Sequence, residues 1–274
     1  MSKRYTLEDL SYLMSRLRKP ETGCPWDLDQ NYRSIVPSTI EEVFEVVDAI
    51  ESQNYEHLKE ELGDLLFQIV FYAQLADEES RFDLFDIIDQ LTAKLLRRHP
   101  HVFPDGTLQS ERTELDVPDH DSIGLRWEAT KEAERGARGK VGLMDDIPLS
   151  IPTLKRAQKL QKRAARVGFD WDDSGSVLNA LAAETLEYHE AKASGDAAAV
   201  EDEIGDMLFC LVNLARKEGI DADQALRGAS RKFEQRMRMT EKHVGLDTRE
   251  WVDYSTSELD VLWQRVKVEL LKSS

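Results

Sequence analysis

The sequence predicts an all-α protein in which one helical unit is used twice. Apolar residues recur at helical spacing along the 274-residue chain, and no segment alternates with the two-residue period of a half-buried strand. In each half, Glu-x-x-Glu is followed by Glu-x-x-Asp, and the second set lies 142 residues after the first (184 − 42). A tandem repeat of two four-helix units is the simplest arrangement that fits both observations.

The first half is predicted to hold four helices and a shorter one. Thr6 is a candidate cap for the first helix, and Ser38 or Thr39 for the second. The third is apolar on every side from residue 62 onward, which predicts a helix that is buried all round. In order, helices are predicted at 6–18, about 40–50, 58–76 and 82–98, followed by a polar loop at 104–122 and a short helix around 125–127.

The second half repeats this order after a segment rich in glycine and proline. That segment, 136–152, places the boundary between domains at 1–135 and 150–274, with a linker at 136–149. Helices are predicted at 153–167, 176–194 and 197–218, and a further helix runs through residues 231–236.

Composition limits the function classes. With 53 acidic against 36 basic residues, the chain is unsuited to nonspecific binding of nucleic acid or of an anionic membrane. The first residues lack an apolar signal core, and no run is long enough to span a membrane. Cys24 and Cys210 fall in different halves, so a disulfide framework is not expected and a cytoplasmic location fits.

The acidic motifs predict two metal sites. Residues three apart share a helix face, so two such helices packed antiparallel would direct four carboxylates at one place. Carboxylates in a buried setting require a compensating cation, and oxygen-only ligands suit Mg²⁺ or Mn²⁺. A di-iron site would need Glu-x-x-His, which is missing here; a solvated acidic face is the simpler alternative. The candidate ligands are Glu42, Glu45, Glu61 and Asp64 in the first half, and Glu184, Glu187, Glu203 and Asp206 in the second.

Basic and aromatic residues are candidate nucleotide contacts. A magnesium site made of carboxylates usually completes its ligands with substrate phosphates, so we expect cations nearby. Candidates with the spacing of one helix face are Lys94 with Arg97 or Arg98, and Lys232 with Arg236, although each could equally be an exposed surface charge. Trp26, Trp127, Trp171 and Trp263 are candidates for base stacking, with core packing as the alternative. Asn213 is a candidate for a sugar contact, with an ordinary satisfied core polar group as the alternative.

Besides the acidic motifs, the sequence contains Cys-Pro-Trp-Asp, Glu-Leu-Gly-Asp-Leu-Leu-Phe-Gln and Arg-Arg-His-Pro-His-Val-Phe. Together these motifs resemble the MazG family of nucleoside triphosphate pyrophosphohydrolases, in the all-α NTP pyrophosphatase superfamily, and the resemblance covers essentially the whole chain. It implies a homodimer of interlocked helical domains that hydrolyses NTPs and dNTPs to the monophosphate and pyrophosphate with Mg²⁺. The site roles it implies are metal ligands at Glu184, Glu187, Glu203 and Asp206, phosphate contacts at Lys232 and Arg236, and a nucleotide contact at Trp263.

Two departures from the family pattern bear on which half is active. Ala183 stands where the first half has Glu41, and Ser230 replaces an Asn that often precedes the Lys-Phe pair. The resemblance favours the C-terminal site, with the N-terminal site active or regulatory. The alternatives are a narrower enzyme that cleaves one nucleotide, such as a dUTP or phosphoribosyl-ATP pyrophosphohydrolase, and a non-catalytic helical dimerisation module.

Overall fold

The structure, a computed structural model, describes residues 4–112, 119–137, 139, 142–246 and 249–273. Within these ranges the chain is helical and contains no β-strand, which confirms the predicted all-α class. In chain order the helices are α1 (Leu7–Leu17), α2 (Pro25–Asp29), α3 (Val36–Glu51), α4 (Tyr55–Glu78), α5 (Leu84–Arg98), α6 (His120–Ala137), α7 (Thr153–Ala165), α8 (Ser174–Ser194), α9 (Ala197–Lys217), α10 (Ala222–Gly245), a 3₁₀ helix (Trp251–Asp253) and α11 (Thr256–Ser273).

The chain divides into two compact units, Met1–Lys131 and Glu132–Ser274, and the division falls within α6. The predicted linker at 136–149 lies in the second of these units. Within that unit Arg163 of α7 donates hydrogen bonds to the carbonyl oxygens of Leu143 and Asp145, so part of this segment packs on α7. The domain limits at 135 and 150 remain a prediction.

The core of the first unit forms where α1, α4 and α5 meet. Met14, Phe71 and Leu84 are buried there, one from each of these helices. Arg18, just after α1, is buried beside this core and its guanidinium pairs with Glu78 at the end of α4, at 2.8 Å. Its Nη1 also donates to the carbonyl oxygens of Asp27 and Gln30, so one side chain ties α1, α2 and α4 together.

In the second unit, α9 packs against α7, α8 and α10, and α10 packs against α11. Val177, Val212 and Val266 are buried on α8, α9 and α11. The buried Gln161 of α7 donates from its side-chain nitrogen to the carbonyl oxygen of Phe209, at 2.8 Å. Helix α7 is therefore fixed to the part of α9 that follows Asp206.

Two helical hairpins, α3–α4 and α8–α9, carry the acidic motifs. In each, the helices pack against each other and are joined by a turn of two or three residues, which makes them antiparallel. The turns contain Gln53 with φ of 56° and Gly195 with φ of 75°, at equivalent positions of the repeat. The next residues, Asn54 and Asp196, cap α4 and α9 with their side-chain oxygens.

Several predicted helix limits need correction. Thr6 caps α1 in a capping box with Asp9, as predicted. Neither Ser38 nor Thr39 caps α3, because that helix already begins at Val36, where Pro37 fits the first turn. Helix α5 begins at Leu84 rather than at residue 82, because Asp83 caps it. The helix expected around 125–127 is the longer α6, so the predicted loop at 104–122 is helical from His120; residues 113–118 of that loop lie outside the described residues.

Helix α4 is not buried all round as the sequence suggests. Phe71 and Glu61 are buried, but Leu62 is 49% and Ile69 42% exposed. Leu62 and Ile69 lie seven residues apart, so their side chains lie on the same face of the helix. An apolar stripe does not reveal by itself whether it faces the unit's own core. None of the described helices is long and apolar enough to cross a membrane.

A charged network holds the 168–172 loop of the second unit against α9. The carboxylate of Asp170 accepts hydrogen bonds from Arg216, at 3.2 Å for Nη1, and from Lys217 at 2.7 Å. Burial acts to raise the pKa of Asp170, but these hydrogen bonds and positive charges prevail, and the pKa is lowered. Lys217 also donates to the carbonyl oxygen of Trp171, so the network fixes the backbone at that residue.

We expect Asp170→Asn to lower the free energy of unfolding at neutral pH by about 1–3 kcal/mol, the usual loss when a charged hydrogen-bond partner is removed. Because the pKa of Asp170 is lowered in the folded chain, its stabilisation is present above the ordinary Asp pKa and is lost as pH falls through the lowered value. Urea unfolding should therefore show a difference that shrinks at acid pH. Asp172→Asn, an exposed change in the same loop, is the control; an equal loss in both variants would contradict this assignment.

Candidate metal centres

The first hairpin brings three carboxylates of its acidic motifs together. One oxygen from each of Glu42, Glu45 and Glu61 lies within 4.8 Å of the others. Glu42 and Glu45 lie about one turn apart on α3, and Glu61 faces them from α4. Glu61 is 6% exposed, Glu42 is half-buried and Glu45 is exposed, so the group opens to solvent on one side.

The second hairpin repeats this arrangement. Oxygens of Glu184, Glu187 and Glu203 also lie within 4.8 Å of one another. In this group the Oε2 atom of Glu203 is buried and has no hydrogen-bond partner among the described residues. A buried acceptor without a partner is unfavourable, so this oxygen is suited to receive a cation or a donor from outside the chain.

The two aspartates of the motifs lie outside these close groups but act on them electrostatically. Asp64 and Asp206 are exposed on α4 and α9. Burial raises the pKa of Glu42, and the charges of Asp64, Glu45 and Glu61 raise it further. Burial likewise raises the pKa of Glu184, with contributions from Asp206 and Glu187. The charge of each aspartate therefore acts on its group, and its place in the set of four ligands stays a prediction.

The same repulsion acts on the glutamates of α4 and α9. Burial raises the pKa of Glu61, and the Glu45 charge adds to this while His57 opposes it. For Glu203, burial is again the largest cause, followed by the charges of Glu187 and Glu184. Both groups are therefore unfavourable when fully ionised, and a bound cation would relieve them.

The sequence interpretation missed His57. Its Nδ1 atom lies 3.0 Å from Oε1 of Glu61, one helical turn further along α4. The Glu-x-x-His pattern of di-iron proteins does not detect it, because His57 precedes its glutamate by four residues. That i, i+4 spacing is itself a signal for a side-chain pair on one helix face.

In the second unit, two of the predicted nucleotide contacts come together. The Arg236 guanidinium lies over the ring of Trp263, 5.7 Å from its centroid, and Phe233 contacts the same ring at 5.3 Å. Arg236 is half-buried and Lys232 is exposed on α10, which packs against α9. Phe233 was not among the predicted site residues. It neighbours Lys232, and its contact with Trp263 depends on how α10 meets α11.

The first unit has a comparable contact between cationic side chains and a tryptophan ring. The Arg98 guanidinium lies 5.4 Å from the ring centroid of Trp127, and Lys131 approaches the same ring at 5.5 Å. The imidazole of His99 meets the Trp127 ring edge-on at 4.9 Å. Lys94 is half-buried and Arg97 exposed on the same helix, α5.

The exposure and hydrogen bonds of Trp26, Trp171 and Asn213 bear on their predicted roles as nucleotide contacts. Trp26 is 60% exposed on α2, so it is not the core residue that was its alternative. Trp171 is partly exposed on the loop held by Asp170. Asn213 is 2% exposed and accepts a hydrogen bond from Arg216 at 2.8 Å, which favours the alternative of a satisfied core polar group.

Comparison with known proteins agrees with this repeated architecture. Residues 30–103 and 173–240 each match the model of the MazG nucleotide pyrophosphohydrolase domain. These two segments contain both hairpins, including all eight predicted metal ligands, as well as Lys94, Lys232 and Arg236.

Relatives match over nearly the full chain. A nucleoside triphosphate pyrophosphohydrolase of Escherichia coli (strain K12) is 45% identical over 263 residues, which cover 95% of this chain and 97% of the relative. A nucleoside triphosphate pyrophosphohydrolase/pyrophosphatase MazG of Thermotoga maritima is 38% identical over 260 residues, covering 95% of each chain. A nucleoside triphosphate pyrophosphohydrolase of Mycolicibacterium smegmatis is 35% identical over 164 residues, 59% of this chain and 47% of the relative. The matched domains and these relatives show that the chain belongs to the MazG family of nucleotide pyrophosphohydrolases.

Proposed function

We propose that this protein hydrolyses nucleoside triphosphates to the monophosphate and pyrophosphate, with Mg²⁺ bound by the second hairpin. Membership of the MazG family and the names of the full-length relatives support the reaction class. The observation that carries the assignment to a site is the group of Glu184, Glu187 and Glu203, in which one buried carboxylate oxygen is unsatisfied. Such an enzyme would have a housecleaning role in the nucleotide pools of the cytoplasm.

The donor set fits a hard divalent cation. Glu184, Glu187, Glu203 and Asp206 would hold Mg²⁺, and Mn²⁺ would be an acceptable substitute because both ions prefer oxygen ligands. When bound, the ion supplies positive charge that offsets the carboxylate repulsion and the charge of the triphosphate. The opening to solvent at Glu187, which is exposed, leaves room for phosphate oxygens.

The chain's own groups then provide orientation, a proton acceptor and charge. A carboxylate of the group accepts a hydrogen bond from a water molecule and takes its proton as the water oxygen attacks the α-phosphorus. The bond to the α-phosphorus from the α–β bridging oxygen breaks, and pyrophosphate leaves with the electron pair. Lys232 and Arg236 contact the β- and γ-phosphates and stabilise the charge that develops on them. Neither Cys24 nor Cys210 has a role in this scheme.

Trp263 is the proposed contact for the base. Its ring is partly exposed and is held by Phe233 and Arg236, so it can offer a surface for stacking without moving. Arg236 would then link the base contact and the phosphate contact. Because Asn213 is already engaged by Arg216, we do not extend the nucleotide site to that buried amide.

The first hairpin is proposed as a second cation site. Glu42, Glu45, Glu61 and Asp64 provide the same donor types, and Lys94, Arg97 and Arg98 lie on α5, which packs against α4. We assign turnover to the second unit from the family resemblance, although Ala183 and Ser230 depart from the family pattern there. The first site is proposed to be active or regulatory.

We also propose that the protein is a homodimer. In both units the helices of the hairpins expose large apolar side chains that a second copy could cover. These include Ile40, Phe44, Leu62 and Ile69 in the first unit, and Leu178, Leu186, Leu208 and Leu211 in the second. Sedimentation of the full chain at twice the monomer mass is the expected result, and a stable monomer at micromolar concentration would refute the dimer.

Replacing Glu203 by Gln should raise the midpoint of thermal unfolding in the presence of EDTA. The raised pKa of Glu203 means that its ionised form destabilises the metal-free fold at neutral pH, and the amide removes that charge. Added Mg²⁺ should then stabilise the parent protein more than the variant. Glu190→Gln on α8, an exposed change of the same charge, should affect neither measurement.

Pyrophosphate release should locate the working site. We expect Glu203→Ala with Asp206→Ala to reduce kcat at least about 100-fold, the range seen when groups that stabilise transition-state charge are removed. The corresponding pair, Glu61→Ala with Asp64→Ala, should retain most of the activity if the first site is regulatory. Full turnover after loss of Glu203 and Asp206 would remove the second site from the mechanism.

The same assay with a panel of nucleotides decides between the broad and narrow enzymes. Comparable kcat/KM for several NTPs and dNTPs supports the broad activity proposed here. Cleavage of one nucleotide alone would point to the narrower enzyme, and intact nucleotides without any Mg²⁺ binding would support a non-catalytic dimerisation module.

A further inference from the structure

One face of α4 continues from the first metal group into the hairpin. Its residues, at spacings of three and four, are Glu61, Asp64, Gln68 and Tyr72. At the end of this face nearest the turn, carboxylate oxygens of Glu61 and Glu45 lie within 4.8 Å of each other, and the charge of Asp64 acts on Glu42. This face of α4 is therefore directed at α3.

The far end of the same face also meets α3. The hydroxyl oxygens of Tyr72 and Thr39 lie 3.0 Å apart. Because Thr39 donates its own proton to the carbonyl oxygen of Ile35, at 2.9 Å, it accepts the hydrogen bond from Tyr72. Gln68 lies one turn from Asp64 and one turn from Tyr72, so its position faces α3 between these two points. Its exposure of 6% agrees with a place between the helices.

Gln68 is a buried amide without a partner in the part of the chain that the structure describes. Its side chain makes no hydrogen bond with any other described residue. A buried polar group in this condition is unfavourable, so the position needs an explanation other than packing. The second unit does not repeat it, since the residue 142 positions later is Cys210 (210 − 68). The counterparts of Thr39 and Tyr72 there are both leucine, at 181 and 214.

We propose that Gln68 is a positioning residue of the first site, where Oε1 of its amide accepts a hydrogen bond from a water molecule bound to the cation. This inference rests on the proposed cation site of the first hairpin. Mg²⁺ keeps several of its water ligands when carboxylates bind it. Polar groups that orient the ligands of a metal contribute to its affinity although they do not touch the ion. The amide that is unfavourable in the metal-free protein thus gains its partner when the cation binds.

Gln68→Met separates this role from a structural one, because methionine is also unbranched and flexible but lacks the amide. The first site is isolated in the full chain with Glu184→Gln and Glu203→Gln. In this background, Gln68→Met should weaken Mg²⁺ binding about ten- to hundredfold in a calorimetric titration. In EDTA the same change should leave the midpoint of thermal unfolding equal or raise it, because it removes a buried polar group without a partner.

Gln74→Met is the matched control. It makes the same change six residues further along α4, where the amide donates to Glu78 at 3.2 Å, and it should leave Mg²⁺ affinity unchanged. Circular dichroism in EDTA establishes that each variant folds, and Gln68→Leu takes the place of Gln68→Met if the latter does not.

Unchanged Mg²⁺ binding in the Gln68 variant, or weaker binding together with a lower midpoint of unfolding, would overturn the role of Gln68 and leave the cation site standing. Equal weakening by Gln74→Met would also overturn it. Failure of the isolated first site to bind Mg²⁺ would instead refute that site, without touching the turnover proposed for the second unit.

Discussion

Each hairpin must hold several carboxylates close together against their mutual repulsion, and the rest of the structure depends on this constraint. Three glutamate oxygens within 4.8 Å of one another would separate if their helices were free to move. They stay together because α3 and α4, like α8 and α9, pack along their length and are joined by a short turn. Burial and mutual repulsion raise the pKa of Glu42, Glu61, Glu184 and Glu203, because both disfavour the ionised form.

The rest of each unit holds these hairpins in place. In the first unit, Arg18 connects α1 and the α2 segment to the end of α4 through Glu78 and two backbone carbonyl groups. In the second, Gln161 binds the backbone of α9 at Phe209, and the Asp170 network binds its end. Polar side chains that bind backbone carbonyl groups thus add to the apolar core of each unit in fixing the hairpins.

Much of the site could be predicted from the sequence because it depends on spacing within helices. Residues three apart on one helix must share a face, so Glu42 with Glu45 and Glu184 with Glu187 follow from the motif alone. The pairing of α3 with α4 also follows, since a short turn leaves few other arrangements. The constant offset between the halves then predicts the second group from the first.

What could not be predicted depends on contacts between elements or on exposure. The contact of Phe233 with Trp263 requires the path of the chain between α10 and α11, which no local pattern gives. The exposure of Leu62 could not be predicted from periodicity, because an exposed apolar stripe has the same spacing as one that faces the core. The start of α3 at Val36 was missed because no polar side chain caps it: its cap residue is Ile35, and Pro37 removes one of the free N–H groups of the first turn.

The spacing from the helix caps Asn54 and Asp196 to Glu61 and Glu203 limits how the two halves can diverge. Each residue added to α4 or α9 within this spacing would rotate the glutamate by about 100° about the helix axis, given 3.6 residues per turn. One insertion would point Glu61 or Glu203 away from the glutamates of the preceding helix. Side-chain differences such as His57 against Ala199 leave this spacing intact, whereas one residue added between cap and glutamate would separate the carboxylates in a single step.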